Sequence, residues 1–116
     1  MDVFQTNVKQ PRCTLLESNF HNNGAYCKLK EWMDLHAKNY GFYLAYTDLP
    51  MRKGFKYEPW HYSYKPLSSK YLKAYKQLNI EQILKNDNLI GSKSFTEGFI
   101  TKYTRENILD INPELL

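Results

Sequence analysis

The fold is decided by the stretch Gly54-Phe55-Lys56-Tyr57-Glu58-Pro59-Trp60-His61-Tyr62. Aromatic side chains recur through it, so residues 56 to 64 are predicted to form a β-strand. Proline removes a donor from a strand ladder, and Pro59 therefore predicts either an edge strand or a bulge at that point. In a regular strand the side chains of Glu58 and His61 would point to opposite faces, but a bulge can turn both toward one pocket.

A carboxylate and an imidazole at this spacing are candidates for a metal-dependent site. A neutral histidine coordinates zinc, and a nearby carboxylate that is not a ligand can accept the proton of a metal-bound water. The residues alone allow a simpler interpretation as well, an aromatic strand in which His61 is only packed. The other histidines are weaker candidates, since His36 shares a helix face with Met33 and Tyr40, and His21 lies in a polar loop.

Helices are predicted on both sides of this stretch, which together with short strands indicates an α+β fold. Apolar residues recur at helical spacing over residues 25–40, and Gly41 follows where a helix C-cap belongs. Residues 42–46 predict the partner strand. Beyond Pro66 we expect a helix capped by Ser68 or Ser69, a short continuation over residues 80–85, and a last helix. A capping box over residues 94–97 opens that last helix, which runs to about residue 107.

Length and composition exclude several protein classes. The 116 residues allow one domain, and an aromatic content of 16% argues against a disordered chain. The longest apolar run, over residues 42–46, is far shorter than the roughly 20 residues of a membrane-spanning helix. We therefore expect no integral membrane segment, and no signal peptide is visible in these residues.

Positive charge is concentrated in residues 51–76, which hold seven Lys or Arg and one Glu. The segment has a net charge of +6 and the whole chain has a net charge of +4, so the other residues together carry −2. Aromatic residues alternate with the basic ones, a mixture that could bind nucleic acid, an anionic polymer or the carboxylates of a substrate. The same pattern also fits a solvated basic face over an aromatic core.

The two cysteines, Cys13 and Cys27, do not have CxxC spacing. A structural four-cysteine zinc site within this chain is therefore excluded. Whether the two thiols pair in a disulfide or stay independent is left open by the sequence.

Two runs resemble the D-alanyl-D-alanine carboxypeptidase family of zinc peptidases (VanY-like). They are Trp32-Met33-Asp34-Leu35-His36-Ala37-Lys38-Asn39-Tyr40-Gly41-Phe42 and the stretch over residues 54–62 quoted above. The segment Asp2-Val3-Phe4 also resembles the place where the family's aspartate ligand precedes an apolar strand. The resemblance covers about residues 2–64, and residues 65–116 resemble the helical extensions of some members more weakly.

The resemblance implies a small antiparallel sheet with packed helices, of the hedgehog/DD-peptidase type, around a zinc ion. The ion would be held by two histidines and one aspartate, with water in the fourth position. Carried over to this chain, Asp2 and His61 are ligands and Glu58 is the general base. Trp60 and Tyr57 would line the substrate pocket.

The family's first histidine ligand lies about a strand's length ahead of the aspartate, where this chain has only Met1. The expectation is that residues 1–66 are the C-terminal part of a zinc peptidase domain and residues 67–116 are a helical extension packed on it. A natural remnant that has lost the site is the alternative.

The function implied is hydrolysis of D-alanyl-D-alanine-type bonds in peptidoglycan stem peptides, as a carboxypeptidase or an endopeptidase. The substrate places the protein in the periplasm or at the cell surface of a bacterium, and nucleic acid is not an expected partner. A noncatalytic module that binds wall peptide or, less in keeping with the motifs, nucleic acid is the rival hypothesis. The oligomeric state does not follow from the sequence.

Overall fold

A computed structural model describes all 116 residues as four α-helices and one two-stranded antiparallel sheet. The chain runs through α1 (Cys27–His36), β1 (Phe42–Leu44), β2 (Tyr62–Tyr64), α2 (Lys65–Tyr75), α3 (Ile80–Leu84) and α4 (Glu97–Tyr103). Short 3-10 turns lie at Glu17–Asn19, Ala37–Tyr40, Ser92–Ser94 and Pro113–Leu115, and a π-helical turn over Thr104–Ile108 follows α4. The predicted α+β class is confirmed. None of the helices combines the length and apolar character that a bilayer crossing requires.

The first helix ends at a glycine that no other residue would replace easily. The 3-10 turn Ala37–Tyr40 extends α1, and Gly41 then adopts a φ of 81°, in the left-handed region. A Cβ atom there would lie 3.0 Å from the Tyr64 ring and 3.1 Å from Pro66. Gly41 therefore acts as the predicted C-cap and also allows the close approach of β2.

The sheet places His61 between two neighbouring segments. Strands β1 and β2 pair with Leu44 opposite Tyr62. Just before β2, His61 pairs with Asp2 in an antiparallel bridge, and its carbonyl accepts the amide of Ala45 at 2.8 Å. The first residues of the chain thus lie on one side of this segment, and the end of β1 lies on the other.

The predicted strand over residues 56–64 is wrong in its first part. The His61 amide donates to the Glu58 carbonyl at 3.1 Å, which closes a turn around Pro59 and Trp60. Proline suits this position because its φ is fixed and it has no N–H that needs a ladder partner. A buried turn at Pro59, rather than the predicted bulge, therefore brings Glu58 and His61 together.

The best-buried side chains form an aromatic cluster in the first half of the chain. Phe20 and Tyr26 are 1% and 0% exposed, and their rings meet edge to face at 5.2 Å. Trp60 packs on the other side of Phe20 at 5.6 Å. The turn that carries Glu58 and His61 is therefore fixed directly to the core.

Two predicted helix caps differ from those observed. Helix α2 begins at Lys65, because Pro66 fits the first helical turn, so Ser68 and Ser69 lie inside the helix. Helix α4 is capped by Thr96, whose hydroxyl accepts the Phe99 amide at 3.1 Å, while the predicted cap Ser94 belongs to a 3-10 turn. The expected continuation after α2 is a separate helix, α3, capped by Asn79.

Candidate active site

Three predicted site residues converge at the start of β2. The Nδ1 atom of His61 lies 2.8 Å from Oδ1 of Asp2 and 3.6 Å from Oε2 of Glu58. The three side chains are 45% (Asp2), 32% (His61) and 29% (Glu58) exposed. One imidazole nitrogen therefore faces two carboxylates at a position that solvent can reach.

Backbone pairing explains why residues so distant in sequence meet. The Val3 amide donates to the Trp60 carbonyl at 2.9 Å, and the Tyr62 amide donates to the Met1 carbonyl at 2.8 Å. These bonds set Asp2 directly opposite His61. The turn at Pro59 supplies the third member, Glu58, on the same side.

Tyr46 supports the imidazole and was not singled out from the sequence. Its ring lies 5.0 Å from the His61 ring, and the ring of Phe55 packs on it at 5.2 Å. Burial, followed by the negative charge of Glu58, raises the pKa of Tyr46 above its ordinary value. No local pattern distinguishes Tyr46 from the other tyrosines, because its role comes from the pairing of β1 with the segment before β2.

The donor atoms fit part of a zinc site. Imidazole nitrogen and carboxylate oxygen are common zinc ligands, and neighbouring ligands of a tetrahedral zinc lie about 3.4 Å apart. The Asp2 and His61 atoms are closer than this, at 2.8 Å, because they are hydrogen-bonded to each other, so they would have to separate by about 0.6 Å to bind one ion. However, no group of three or more His, Cys, Asp or Glu side chains in the chain could hold a metal ion. The chain thus brings together two of the three expected ligands.

A cleft of about 520 Å³ opens beside this group. Glu58 belongs to this group and also lines the cleft, whereas Asp2 and His61 do not line it. Its walls include both predicted pocket residues, Tyr57 and Trp60. The full lining is Glu17, Thr47, Asp48, Leu49, Arg52, Gly54, Phe55, Lys56, Tyr57, Glu58 and Trp60. The candidate base therefore stands where a bound molecule would meet the Asp2–His61 pair.

Tyr57 is held by His21, which was not predicted to lie near the pocket. Its hydroxyl lies 3.0 Å from Nε2 of His21. Burial, with smaller contributions from Asp34, Glu17 and Asp48, raises the pKa of Tyr57 to about 12. The hydroxyl at this wall is therefore neutral at physiological pH and can donate or accept a hydrogen bond.

The remaining candidates from the sequence do not join the Asp2, Glu58 and His61 group. His36 packs against Trp32, with ring centroids 5.1 Å apart, as expected for a packed or surface histidine. Cys13 and Cys27 are both free thiols. The basic residues of segment 51–76 do not form one surface, since Arg52 and Lys56 line the cleft while Lys70 and Lys73 lie along α2.

The model of the D-alanyl-D-alanine carboxypeptidase family VanY matches residues 1–67. The chain belongs to this family. The match contains Asp2, Glu58 and His61 and ends just after β2. Neither the comparison with curated proteins nor the comparison with solved structures gives a match. Family membership points to a peptidase with a peptidoglycan peptide as substrate, a class of enzyme that typically works outside the cytoplasm or at the cell wall.

Proposed function

We propose that the chain contributes to a zinc-dependent peptidase site in which Asp2 and His61 are metal ligands and Glu58 is the general base. The observation that supports this most strongly is the position of His61 Nδ1, 2.8 Å from Asp2 and 3.6 Å from Glu58. A packed histidine would not need two carboxylates at one nitrogen. Family membership supplies the class of bond that is cleaved.

The residues of the chain have distinct tasks in this reaction. A zinc ion bound here would act as a Lewis acid, which lowers the pKa of water to about 7 and polarises a carbonyl. Glu58 accepts the proton of the attacking water and returns it to the departing amine. Asp2 and His61 would hold the ion, and Tyr46 fixes the plane of the His61 imidazole by packing on it. Tyr57 and Trp60 shape the wall along which the peptide lies.

Catalytic zinc sites usually have three protein ligands, and two come from these residues. We propose that a histidine ahead of Met1 in a longer protein is the third. In that arrangement residues 1–66 belong to the peptidase domain and residues 67–116 form a helical extension. The substrate is a stem peptide ending in D-alanyl-D-alanine, and the place of action is the periplasm or the cell surface.

The test compares the chain with a version extended upstream to include a histidine. We expect the extended protein to bind close to one zinc per molecule and to release D-alanine from an acyl-D-alanyl-D-alanine peptide. Replacing Glu58 by Gln in the extended protein should lower kcat by about 10²–10⁴-fold, the usual contribution of a general base, while zinc content stays unchanged.

Matched variants separate these roles from general damage. Glu17→Gln removes another carboxylate from the same cleft and should leave turnover within a few-fold of the parent. His61→Ala should abolish zinc binding, and His36→Ala should not. Full zinc occupancy with undiminished turnover in Glu58→Gln would show that the base is assigned wrongly.

A noncatalytic wall-peptide module is the second candidate, because no group of three ligands is present in the chain. It predicts that the peptide binds without zinc and that His61→Ala leaves its affinity unchanged. Affinity that appears only when zinc is added would exclude it. Steeply salt-dependent binding of oligonucleotides would instead favour a nucleic-acid partner.

A further inference from the structure

The wall of the cleft is formed largely by a loop that has no regular secondary structure of its own. Residues 47–57 connect β1 to the turn at Pro59 and supply eight of the eleven lining residues. A loop of this kind opens easily unless hydrogen bonds tie its backbone to something rigid. The shape of the cleft therefore depends on what holds this loop.

The Arg52 side chain bridges the two ends of the loop and joins the loop to the C-terminal part of the chain. Its side chain is 9% exposed and donates to the carbonyls of Thr47 at 2.8 Å and Phe55 at 3.0 Å. The same guanidinium donates to the backbone carbonyl of Asp110 at 2.8 and 3.2 Å. One largely enclosed guanidinium thus joins both ends of the loop to a residue 58 positions further along the chain.

The Asp110 carboxylate completes the attachment. Its Oδ2 atom accepts the amides of Lys53 and Gly54, the latter at 3.1 Å. The Lys53 amide, helped by that of Gly54 and by the charge of Arg52, holds the pKa of Asp110 below its ordinary value despite some burial. The carboxylate is therefore ionised at neutral pH and makes charge-assisted hydrogen bonds to the loop backbone.

The loop and the tail are also in direct backbone contact. A Cβ atom on Gly54 would lie 2.2 Å from the carbonyl oxygen of Glu106, so only glycine fits there. Further along the tail, buried Asn112 donates its side-chain amide to the Leu44 carbonyl at 2.8 Å, and its backbone amide donates to Ala45 at 2.9 Å. The tail is thereby anchored to β1, the strand that precedes the loop.

We infer that tail residues 106–112 hold the cleft wall in its substrate-binding shape, with Asp110 as the positioning residue. These residues lie outside the part of the chain that matches the family. The contact continues to the candidate site, since the Arg52 guanidinium lies 5.7 Å from the centre of the Tyr46 ring, which packs on His61. The substrate part of this inference rests on the proposed function, whereas the attachment of the loop does not.

Hydrogen–deuterium exchange of the full chain tests the attachment. In Asp110→Ala we expect the amides of residues 47–56 to exchange about tenfold faster or more, while those of α1 keep their rate. Asp110→Asn should recover part of the protection, because its amide oxygen still accepts a hydrogen bond, and this variant carries the test if Asp110→Ala does not fold. Asp87→Ala is the matched control, since Asp87 is exposed and makes no hydrogen bond or ion pair.

Titration of the upstream-extended protein with an acyl-D-alanyl-D-alanine peptide, with zinc present and with Glu58→Gln in every variant to prevent hydrolysis, tests the substrate part. The affinity of Asp110→Ala should fall about fivefold to tenfold, with partial recovery in Asp110→Asn and an unchanged midpoint for zinc binding. Equal loop exchange in Asp110→Ala and Asp87→Ala would overturn the inference, as would unchanged peptide affinity despite faster exchange. If the upstream-extended parent binds no peptide, the proposed function fails at that point, and the exchange rates alone decide whether the tail holds the loop.

Discussion

Residues 1–64 and residues 65–116 are held together in different ways. The first region has an aromatic core around Phe20, Tyr26 and the turn at Pro59. In the second region, α2 and α3 contain no buried residue, α4 buries only Ile100, and large apolar side chains such as Leu78 and Ile90 are exposed. The radius of gyration, 17.2 Å, exceeds the roughly 13 Å expected for a compact chain of this length.

The difference shows which contacts the candidate site depends on. Asp2, Glu58 and His61 rest on the well-packed region, so their geometry comes from the core. The tail of the second region is hydrogen-bonded to the loop that lines the cleft through Asp110 and to β1 through Asn112. We therefore expect substitutions in the aromatic core to cost more stability than substitutions in the tail, whose main effect should be on the cleft.

The largest effect should come from truncation of the core. Phe20→Ala removes a side chain that is 1% exposed and contacts Tyr26 and Trp60, so the free energy of unfolding should fall by about 3–5 kcal/mol. Leu78→Ala, at a position that is 52% exposed, should cost less than about 1 kcal/mol. Urea unfolding followed by tryptophan fluorescence measures both. Equal losses in the free energy of unfolding would mean that the second region has a core that contributes as much to stability as the core around Phe20.

Two glycines with nearly the same backbone conformation allow a matched comparison of the regions. Gly41 has a φ of 81° and Gly91 a φ of 83°, but a Cβ atom would meet Tyr64 and Pro66 at Gly41 and nothing within 4 Å at Gly91. Gly91→Ala should therefore cost only the conformational penalty, about 1 kcal/mol. Gly41→Ala should cost about 2 kcal/mol or more, because the steric contact adds to that penalty. Thermal unfolding of both variants measures the difference, and a cost at Gly91 equal to that at Gly41 would contradict the looser packing of the second region.

The sequence was informative where structure is local. Apolar spacing predicts helix α1 and the strand that follows it, and a glycine predicts the cap at Gly41. Both signals act over only a few residues. Glu58 and His61 were correctly placed together, but through a bulge rather than a turn, because periodicity alone does not distinguish the two. The position of Asp2 came from the resemblance to the family, since nothing local connects residue 2 with residue 61.

Contacts between distant residues could not be predicted in the same way. Arg52 and Asp110 are 58 residues apart, and neither lies in a periodic segment. Their interaction depends on where the tail meets the end of β1, which is set by the hydrogen bonds of Asn112 to the Leu44 and Ala45 carbonyls. The packing of Tyr46 on His61 and the contact of His21 with Tyr57 were missed for the same reason.

Alkaline pH should lower the stability of the first region. Burial raises the pKa of Tyr46, Tyr57 and Tyr62, and all three lie there. For Tyr57 the pKa is about 12 in the folded protein against 10.0 when unfolded, so between these values the unfolded chain releases a proton that the folded chain keeps. Stability is therefore complete below pH 10 and falls as the pH rises toward 12. Tyr57→Phe should reduce this loss in urea titrations at pH 9–12, whereas Tyr71→Phe, at an exposed position, should leave the profile of the parent unchanged.

The smallest effect concerns the ion pair that joins the two regions. Lys38 Nζ lies 2.7 and 2.9 Å from the two carboxylate oxygens of Glu114, but the side chains are 58% and 49% exposed. Water and salt screen such a pair, so a double-mutant cycle with Lys38→Met and Glu114→Gln should give a coupling energy of about 0.2–1 kcal/mol that decreases in high salt. A coupling above about 2 kcal/mol would mean that charge, rather than the hydrogen bonds of Asn112 and Asp110, attaches the tail. Loop exchange in Glu114→Gln should then rise as it does in Asp110→Ala, whereas attachment by Asn112 and Asp110 predicts the exchange rate of the parent.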